Sequence, residues 1–213
     1  VGDSMPQMQV ETARFALKQP FVITGHTFTE ITPVWVTLEQ EGYRARGEAI
    51  GVYYTGETTE SMVDQLESVR AQVEAGATRE SIQTLLPPGG ARNALDCAYW
   101  DLECKTSGRS IWELLDITPQ ELTTVATIGI GTAEQMAQQA RDYADFSKLK
   151  VKLDDEQPLE KLRAIRDARP DATVVIDVNQ GWNRGELEAF LPSLGELSVA
   201  MVEQPLPRGA DAQ

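Results

Sequence analysis

Charged and polar side chains lie at the ends of three short apolar runs in the second half of the chain. They are Lys150 and Lys152, then Asp177 and Asn179, then Glu203. The interval from Lys152 to Asp177 is 25 positions, and from Asp177 to Glu203 it is 26. This interval accommodates one strand, one helix and two short loops. Because successive parallel strands end at the same edge of a sheet, we expect these side chains to converge there. The pattern predicts a metal-and-lysine site for proton chemistry.

The two acids are candidate metal ligands. Asp177 and Glu203 carry the hard oxygen atoms that Mg²⁺ takes, one or two carboxylates at a time, with Mn²⁺ as an alternative ion. Two acids in an apolar sheet also need compensation, because a buried lone carboxylate is costly, and a cation supplies it. The alternative is that each acid caps a helix or pairs with a nearby lysine.

The lysines are candidate acid–base groups. Lys150 and Lys152 differ by two positions and so face the same way on a strand, where each is expected to lower the pKa of the other. A lysine with a lowered pKa can remove the proton α to a metal-bound carboxylate. Lys148 shares this face, so spacing alone does not identify the base. The alternative is an edge strand kept soluble by lysines. Asn179 orients a metal water or a lysine, or is simply a polar strand end.

A segment near the start of the chain is a candidate substrate contact. Gln19–Ile31 is rich in Thr, Gly and Phe and is predicted to be a mobile loop. If it folds over the strand ends as a lid, His26 and Phe28 contact the substrate. The alternative for a lone loop histidine is a solvated side chain.

The elements that must position these groups fall into two parts. Up to about Tyr54 the chain is predicted to be β-rich, with a hairpin at Glu41-Gly42, and helices follow. From Leu122 the pattern becomes strand, helix, strand, helix, which indicates a parallel sheet. Thr132 and Asn183, each with Gln or Glu three residues later, are predicted to cap two of these helices.

Four strands and three helices fit between Leu122 and Gln213, whereas an eight-stranded barrel needs roughly 200 residues or more. Half a barrel would leave two unpaired sheet edges. The alternatives are a longer parent chain, an open sheet, or completion by another chain. We favour the longer parent chain.

Bulk properties exclude several classes of partner. The net charge of -14 over 213 residues opposes binding to nucleic acid and to anionic lipid. No apolar run approaches membrane-spanning length. Cys97 and Cys104 fall in one predicted helix, too far apart for a disulfide, and are expected to be small buried side chains in a reducing compartment. These features predict a cytoplasmic protein.

The motifs together resemble the enolase superfamily. The resemblance rests on Lys150-Val151-Lys152, on Asp177-Val178-Asn179-Gln180-Gly181-Trp182 and on Val202-Glu203-Gln204-Pro205. Gly47-Glu48-Ala49 and the helix motif from Ala94 to Leu102 are similar too. Within the superfamily the chain resembles the muconate-lactonizing subgroup, which includes dipeptide epimerases, N-acylamino-acid racemases and o-succinylbenzoate synthases.

The resemblance implies an α+β capping domain, placed at residues 1–121, followed by a modified TIM barrel, (β/α)₇β, of which residues 122–213 would form the first four strands. It implies that Lys152 is the general acid/base, and that Lys150 binds the substrate carboxylate and lowers its neighbour's pKa. Asp177 and Glu203 would be the first two Mg²⁺ ligands, with Asn179 as the accompanying polar residue. The third carboxylate ligand and an opposing lysine are expected beyond residue 213. Without them the chain is not expected to be a competent two-base enzyme.

The resemblance therefore implies a Mg²⁺-dependent isomerase: an epimerase or racemase that acts through an enediolate, with an L-Ala-D/L-Glu-type dipeptide or an N-acylamino acid as substrate. The homologous alternatives are a muconate-type cycloisomerase and an o-succinylbenzoate synthase. A non-catalytic fragment or assembly module is a further alternative. Homo-oligomers are expected by resemblance.

Overall fold

The computed structural model describes residues 5–210 and residue 212, and the contacts among them divide the chain into two compact units. The first contains Glu30–Gln120 and the described residues up to Ala16. The second contains Leu17–Thr29 and the described residues from Glu121 onward. In the described part of the chain, no helix has both the length and the apolar character needed to cross a membrane.

The first unit has a three-stranded antiparallel sheet and four helices. Its strands and helices are β1 (Gln7–Thr12), β4 (Val34–Gln40), β5 (Tyr43–Ala49), α1 (Thr59–Glu74), α2 (Arg79–Leu85), α3 (Gly90–Ser107) and α4 (Ile111–Leu115), with a 3₁₀ turn at Tyr53–Thr55. The strand order in the sheet is β1-β4-β5; the two strands between β1 and β4 along the chain, β2 (Phe15–Ile23) and β3 (His26–Ile31), form a separate sheet.

The predicted hairpin in this unit is confirmed. Strands β4 and β5 pair antiparallel, from Gln40 with Tyr43 to Val34 with Ala49. Glu41 and Gly42 both have positive φ (53° and 82°), as a two-residue turn between right-twisted strands requires.

Helix α3 packs closely on strand β5 and shares a core with the sheet and with α1. A Cβ on Gly47 would lie 1.9 Å from the carbonyl oxygen of Ala94, so only glycine allows this approach. The expected burial of both cysteines is wrong: Cys97 is exposed and Cys104 is half-buried, because α3 turns that face away from its core.

The second unit has a four-stranded parallel sheet in the order β6-β7-β8-β9. Its strands and helices are β6 (Ala126–Ile128), α5 (Ala133–Asp142), β7 (Lys148–Lys152), α6 (Pro158–Ala168), β8 (Thr173–Asp177), α7 (Arg184–Glu196) and β9 (Val199–Glu203). Each strand pairs with the next one along the chain, which is the order of a barrel and not of a doubly wound sheet. The capping boxes predicted at Thr132 and Asn183 are confirmed.

The prediction of a loop at Gln19–Ile31 is wrong. Strand β2 (Phe15–Ile23) and strand β3 (His26–Ile31) pair as a two-stranded sheet. Gly25, with φ of 71°, lies in the turn between them. Pro20 and the high Thr and Gly content hid this strand pair in the sequence, since both are typical of loops.

Candidate active site at the strand ends

The parallel register places the candidate catalytic residues in one row. Lys152 of β7 pairs with Asp177 of β8, and Asp177 pairs with Glu203 of β9. All three are the last residues of their strands. The alternate residues of the strands are buried in the hydrophobic core, among them Leu149, Val151 and Ile176. Because successive side chains of a strand point to opposite faces of the sheet, the polar residues at the strand ends lie on the other face. The predicted convergence is observed.

Lys152 and Asp177 form a buried ion pair. The Lys152 ammonium donates to Asp177 Oδ2 at 2.6 Å and to Asn179 Oδ1 at 2.9 Å. The side chains of Lys152 and Asp177 are only 11% and 2% exposed. Asn179 has φ of 49°, and its backbone N–H donates to Asp177 Oδ1 at 3.0 Å. Asn179 therefore holds both members of the pair, one through its side chain and one through its backbone.

Lys150 bridges the two acids. Its ammonium lies 2.6 Å from Glu203 Oε2 and 3.0 Å from Asp177 Oδ2. The two carboxylates are thus close enough to share one small cation. The Lys150 side chain is 22% exposed and that of Glu203 is 39% exposed, so this half of the site is open to solvent whereas the Lys152 half is closed.

The expectation that the lysines lower each other's pKa is wrong for Lys150. Burial lowers the pKa of Lys150, but its hydrogen bonds to Glu203 and Asp177 outweigh burial and raise the pKa overall. For Asp177, burial raises the pKa, yet the hydrogen bonds from Lys152 and Lys150 outweigh it and lower the pKa. The charges of Lys150 and Lys152 are thus balanced by those of Asp177 and Glu203. The spacing of the lysines along one strand does not predict this balance, because the acids lie on other strands.

The residues fit a hard divalent cation. Mg²⁺ is typically held by one or two carboxylates together with waters and substrate oxygens. Asp177 and Glu203 supply two carboxylates whose oxygens already approach one positive charge, the Lys150 ammonium, within 3.0 Å. No group of three or more His, Cys, Asp or Glu side chains arranged to hold a metal occurs among residues 5–210 and 212. The described part of the chain therefore offers two carboxylate ligands at this site.

The remaining predicted residues lie elsewhere. Lys148 is exposed at the start of β7, away from the carboxyl ends. His26 and Phe28 lie on β3, with ring centroids 4.3 Å apart. Their contact with a substrate stays a prediction.

Sequence reasoning missed Thr24, at the turn of the β2–β3 hairpin. Its hydroxyl lies 2.8 Å from the carbonyl oxygen of Val178 and 3.1 Å from that of Leu153. These two residues immediately follow the site residues Asp177 and Lys152. A Thr-Gly pair between two runs of strand-forming residues was the available signal, because it marks a hairpin turn.

Alternating βα units with lysines and carboxylates at the strand ends define a class of protein, the enolase-type barrel. Residues 132–213 match the model of the enolase C-terminal domain-like family, and residues 7–116 match that of the mandelate racemase/muconate lactonizing enzyme N-terminal domain. The chain belongs to the mandelate racemase/muconate lactonizing enzyme family of the enolase superfamily. Its fold is accordingly a capping domain joined to an α/β barrel.

Similar proteins include several dipeptide epimerases. The L-Ala-D/L-Glu epimerase of Escherichia coli K12 is 43% identical over 211 residues, which cover 98% of this chain and 66% of that protein. A solved structure of an Agrobacterium tumefaciens enolase family member with homology to dipeptide epimerases superposes with a TM-score of 0.93 at 37% identity, over 97% of this chain and 64% of that one. The Methylococcus capsulatus dipeptide epimerase, solved with Mg and L-Arg-D-Lys, gives 0.86 at 32% identity, over 95% of this chain and 61% of that one. The chain spans about two thirds of the length of these relatives.

Proposed function

We propose that the full-length protein is a Mg²⁺-dependent epimerase that exchanges the proton α to a substrate carboxylate, with a dipeptide of the L-Ala-D/L-Glu type as substrate. One observation carries this proposal: Lys150, Lys152, Asp177 and Glu203 meet at the strand ends, with ammonium-to-carboxylate distances of 2.6 to 3.0 Å. The similarity to dipeptide epimerases supports the choice of substrate.

The proton is removed by Lys152 in this proposal. Lys152 is the more buried lysine and is held by Asn179, so its nitrogen is fixed in direction. A general base must approach the proton that it removes to about hydrogen-bond distance, and a fixed side chain achieves this best. Lys150, which is more open to solvent, binds the substrate carboxylate in exchange for its contacts with Glu203 and Asp177.

Asp177 and Glu203 hold the metal in this proposal. When bound, a divalent cation supplies positive charge that stabilises the negative charge developing on the substrate carboxylate. If the two acids bound a cation, Lys150 would lose the hydrogen bonds to Glu203 and Asp177 that raise its pKa, and its ammonium would be free to bind the substrate carboxylate. Mn²⁺ has similar ligand preferences and is proposed as a substitute ion.

The proposed domain assignment is a capping domain at 1–121 and barrel strands in 122–213. The division of contacts between Gln120 and Glu121 supports this boundary, whereas Leu17–Thr29 groups with the second unit. Within this assignment, the third metal ligand and the second catalytic lysine belong to the part of the barrel outside this sequence. Homo-oligomerisation and a cytoplasmic location are also proposed; two free cysteines support the second.

Isotope exchange tests the proposed function. The full-length protein is incubated in D₂O with Mg²⁺ and a library of L,L-dipeptides and N-acylamino acids, and α-deuterium incorporation is followed by mass spectrometry. We expect exchange into a dipeptide, loss of exchange in Lys152→Ala, and retention in Lys148→Ala. Lys148 is a matched control because it lies on the same strand and face but is exposed at the other end.

Each outcome separates the candidate functions. No exchange into any library member contradicts the epimerase proposal and favours the homologous cycloisomerase or o-succinylbenzoate synthase. Exchange that survives Lys152→Ala assigns the base to another residue. Absence of any Mg²⁺ stabilisation in a thermal unfolding assay favours the non-catalytic module, because a ligand that binds the folded state must stabilise it.

A further inference from the structure

The β2–β3 hairpin (Phe15–Ile31) is attached to the ends of three strands of the parallel sheet. The carbonyl oxygen of Val22 accepts a hydrogen bond from the N–H of Ile130, just after β6, at 2.9 Å. The hydroxyl of Thr24 lies within 3.1 Å of the carbonyls of Leu153 and Val178, which follow β7 and β8. The side chain of one residue thus spans the two strands that carry the proposed base and the proposed metal ligand.

The Thr24 hydroxyl is placed where it can donate to either carbonyl. A hydroxyl has one proton, and carbonyl oxygens only accept, so the two acceptors share a single donor. Leu153 directly follows Lys152, and Val178 directly follows Asp177. A backbone hydrogen bond also joins the ends of β7 and β8 here: the N–H of Leu153 donates to the carbonyl oxygen of Asp177 at 3.1 Å. Thr24 therefore contacts the main chain one peptide away from both side chains of the buried ion pair.

Gly181 provides the space for this contact. A Cβ at this position would lie 2.9 Å from Thr24 Cγ2, 3.0 Å from the backbone carbonyl oxygen of Val178 and 3.1 Å from Thr24 Oγ1. Real Cβ atoms essentially never approach other atoms below 3.0 Å, so alanine here requires the Thr24 side chain to shift. The turn after Asp177 and the hairpin therefore pack closely at Gly181 and Thr24, where a residue larger than glycine at position 181 does not fit without a shift.

We propose that Thr24 is a positioning residue: its hydroxyl holds the hairpin that carries His26 and Phe28 against the strand ends before substrate arrives. This inference rests on the proposed function. It assigns Thr24 no contact with substrate. Its consequence is that substrate binding does not have to order the hairpin, so losing the hydroxyl weakens binding while the chemistry at Lys152 continues.

Hydrogen exchange tests the docking without any substrate. Thr24→Val keeps the shape of the side chain and removes the donor, and Thr24→Ser keeps the donor. Thr27→Val is the matched control, since it makes the same change at an exposed position of the hairpin. We expect Thr24→Val to speed amide exchange at Ile130 and across residues 17–29 about fivefold, the usual scale for one neutral hydrogen bond. Thr24→Ser and Thr27→Val should exchange like the parent protein, and equal exchange in all variants would overturn the proposal.

Kinetics distinguishes positioning from general destabilisation. For Thr24→Val we expect KM to rise, by at most about fivefold, with kcat within about twofold, because the docked population falls but the docked state is unchanged. A fall in kcat with KM unchanged would contradict the assignment. Thr24→Ser is expected to restore KM.

A second pair of variants tests the contact between Gly181 and Thr24 independently of Thr24→Val. Gly181→Ala should raise KM in the same way, because its Cβ displaces Thr24 Cγ2. Thr24→Ser removes that methyl group, so the double variant should have a lower KM than Gly181→Ala alone. Additive effects would show that the two positions do not act through this contact. If the parent protein exchanges no substrate, the proposed function fails, yet hydrogen exchange still decides whether Thr24 docks the hairpin.

Discussion

Replacing Asp177 by asparagine is the strongest test of the electrostatics at the strand ends. The change keeps the shape of the side chain and removes its charge. In the folded protein this carboxylate accepts from Lys152 at 2.6 Å, from Lys150 at 3.0 Å and from the Asn179 N–H at 3.0 Å, and it is 2% exposed. After the substitution, Lys150 keeps one carboxylate partner, Glu203, and Lys152 keeps the Asn179 side-chain oxygen but loses its carboxylate partner.

The expected cost follows from the burial of the partners that remain. Removing one member of a buried ion pair typically costs 3–5 kcal/mol, because the other charge is left buried and uncompensated. Lys150 keeps Glu203, and Lys152 keeps the Asn179 oxygen at 2.9 Å, so the loss should fall at the low end. We expect Asp177→Asn to lower the free energy of unfolding by about 3 kcal/mol at pH 7 without Mg²⁺.

Urea unfolding, followed by tryptophan fluorescence and circular dichroism, measures this loss. Asp171→Asn is the control: Asp171 pairs with Arg169 at 2.8 Å, and its hydrogen bond from Arg169 lowers its pKa to about 2, but its side chain is 65% exposed. The Arg169 side chain is only 8% exposed, but it keeps the carbonyl oxygens of Tyr143 and Phe146 at 2.7 and 2.8 Å. Removing the solvent-screened Asp171 charge should therefore change stability far less. Equal losses in the two variants would refute the view that Asp177 neutralises buried charge.

The stability that Asp177 contributes should decrease at low pH. Because the pKa of Asp177 is lowered on folding, its contribution is complete above the ordinary carboxyl value of 3.8 and is lost as pH falls through the folded value. The stability difference between the parent protein and Asp177→Asn should therefore be constant near neutral pH and shrink below 3.8. Mg²⁺ at about 100 times its Kd should add about 2.7 kcal/mol to the parent protein and much less to the variant.

Three further substitutions test particular contacts. Gly47→Ala places a Cβ 1.9 Å from the Ala94 oxygen and should cost about 3 kcal/mol or more in urea unfolding. Burial raises the pKa of Tyr99 to about 12, so its contribution to stability is complete below pH 10 and is lost as pH rises from 10 towards 12. Tyr99→Phe should be about 1 kcal/mol less stable at pH 8 and more stable than the parent protein near pH 12, as measured by unfolding at each pH. Lys161→Met, which leaves Asp154 without the ammonium at 2.8 Å, should cost about 2 kcal/mol, and the double variant with Asp154→Asn should recover part of it in the same assay.

Local patterns predicted much of the scaffold. The Glu41-Gly42 turn, the capping boxes at Thr132 and Asn183, and the alternation of strands and helices after Leu122 all depend on residues close together in sequence. Such signals survive without tertiary context, because they fix backbone geometry over a few residues. The β2–β3 hairpin was missed because its strands contain loop-forming residues and are stabilised by contacts with distant segments.

The sequence by itself determined that Lys150, Lys152, Asp177 and Glu203 would meet, because parallel strands with a repeating βα interval must end at one edge. Only the tertiary structure decided how they share charge: Lys150 bridges both acids and has a raised pKa, while Lys148 lies apart. It alone revealed Thr24, whose acceptors are 129 and 154 positions away in sequence. Spacing fixes which residues lie in one row, but the partner of a side chain depends on packing between segments that are distant along the chain.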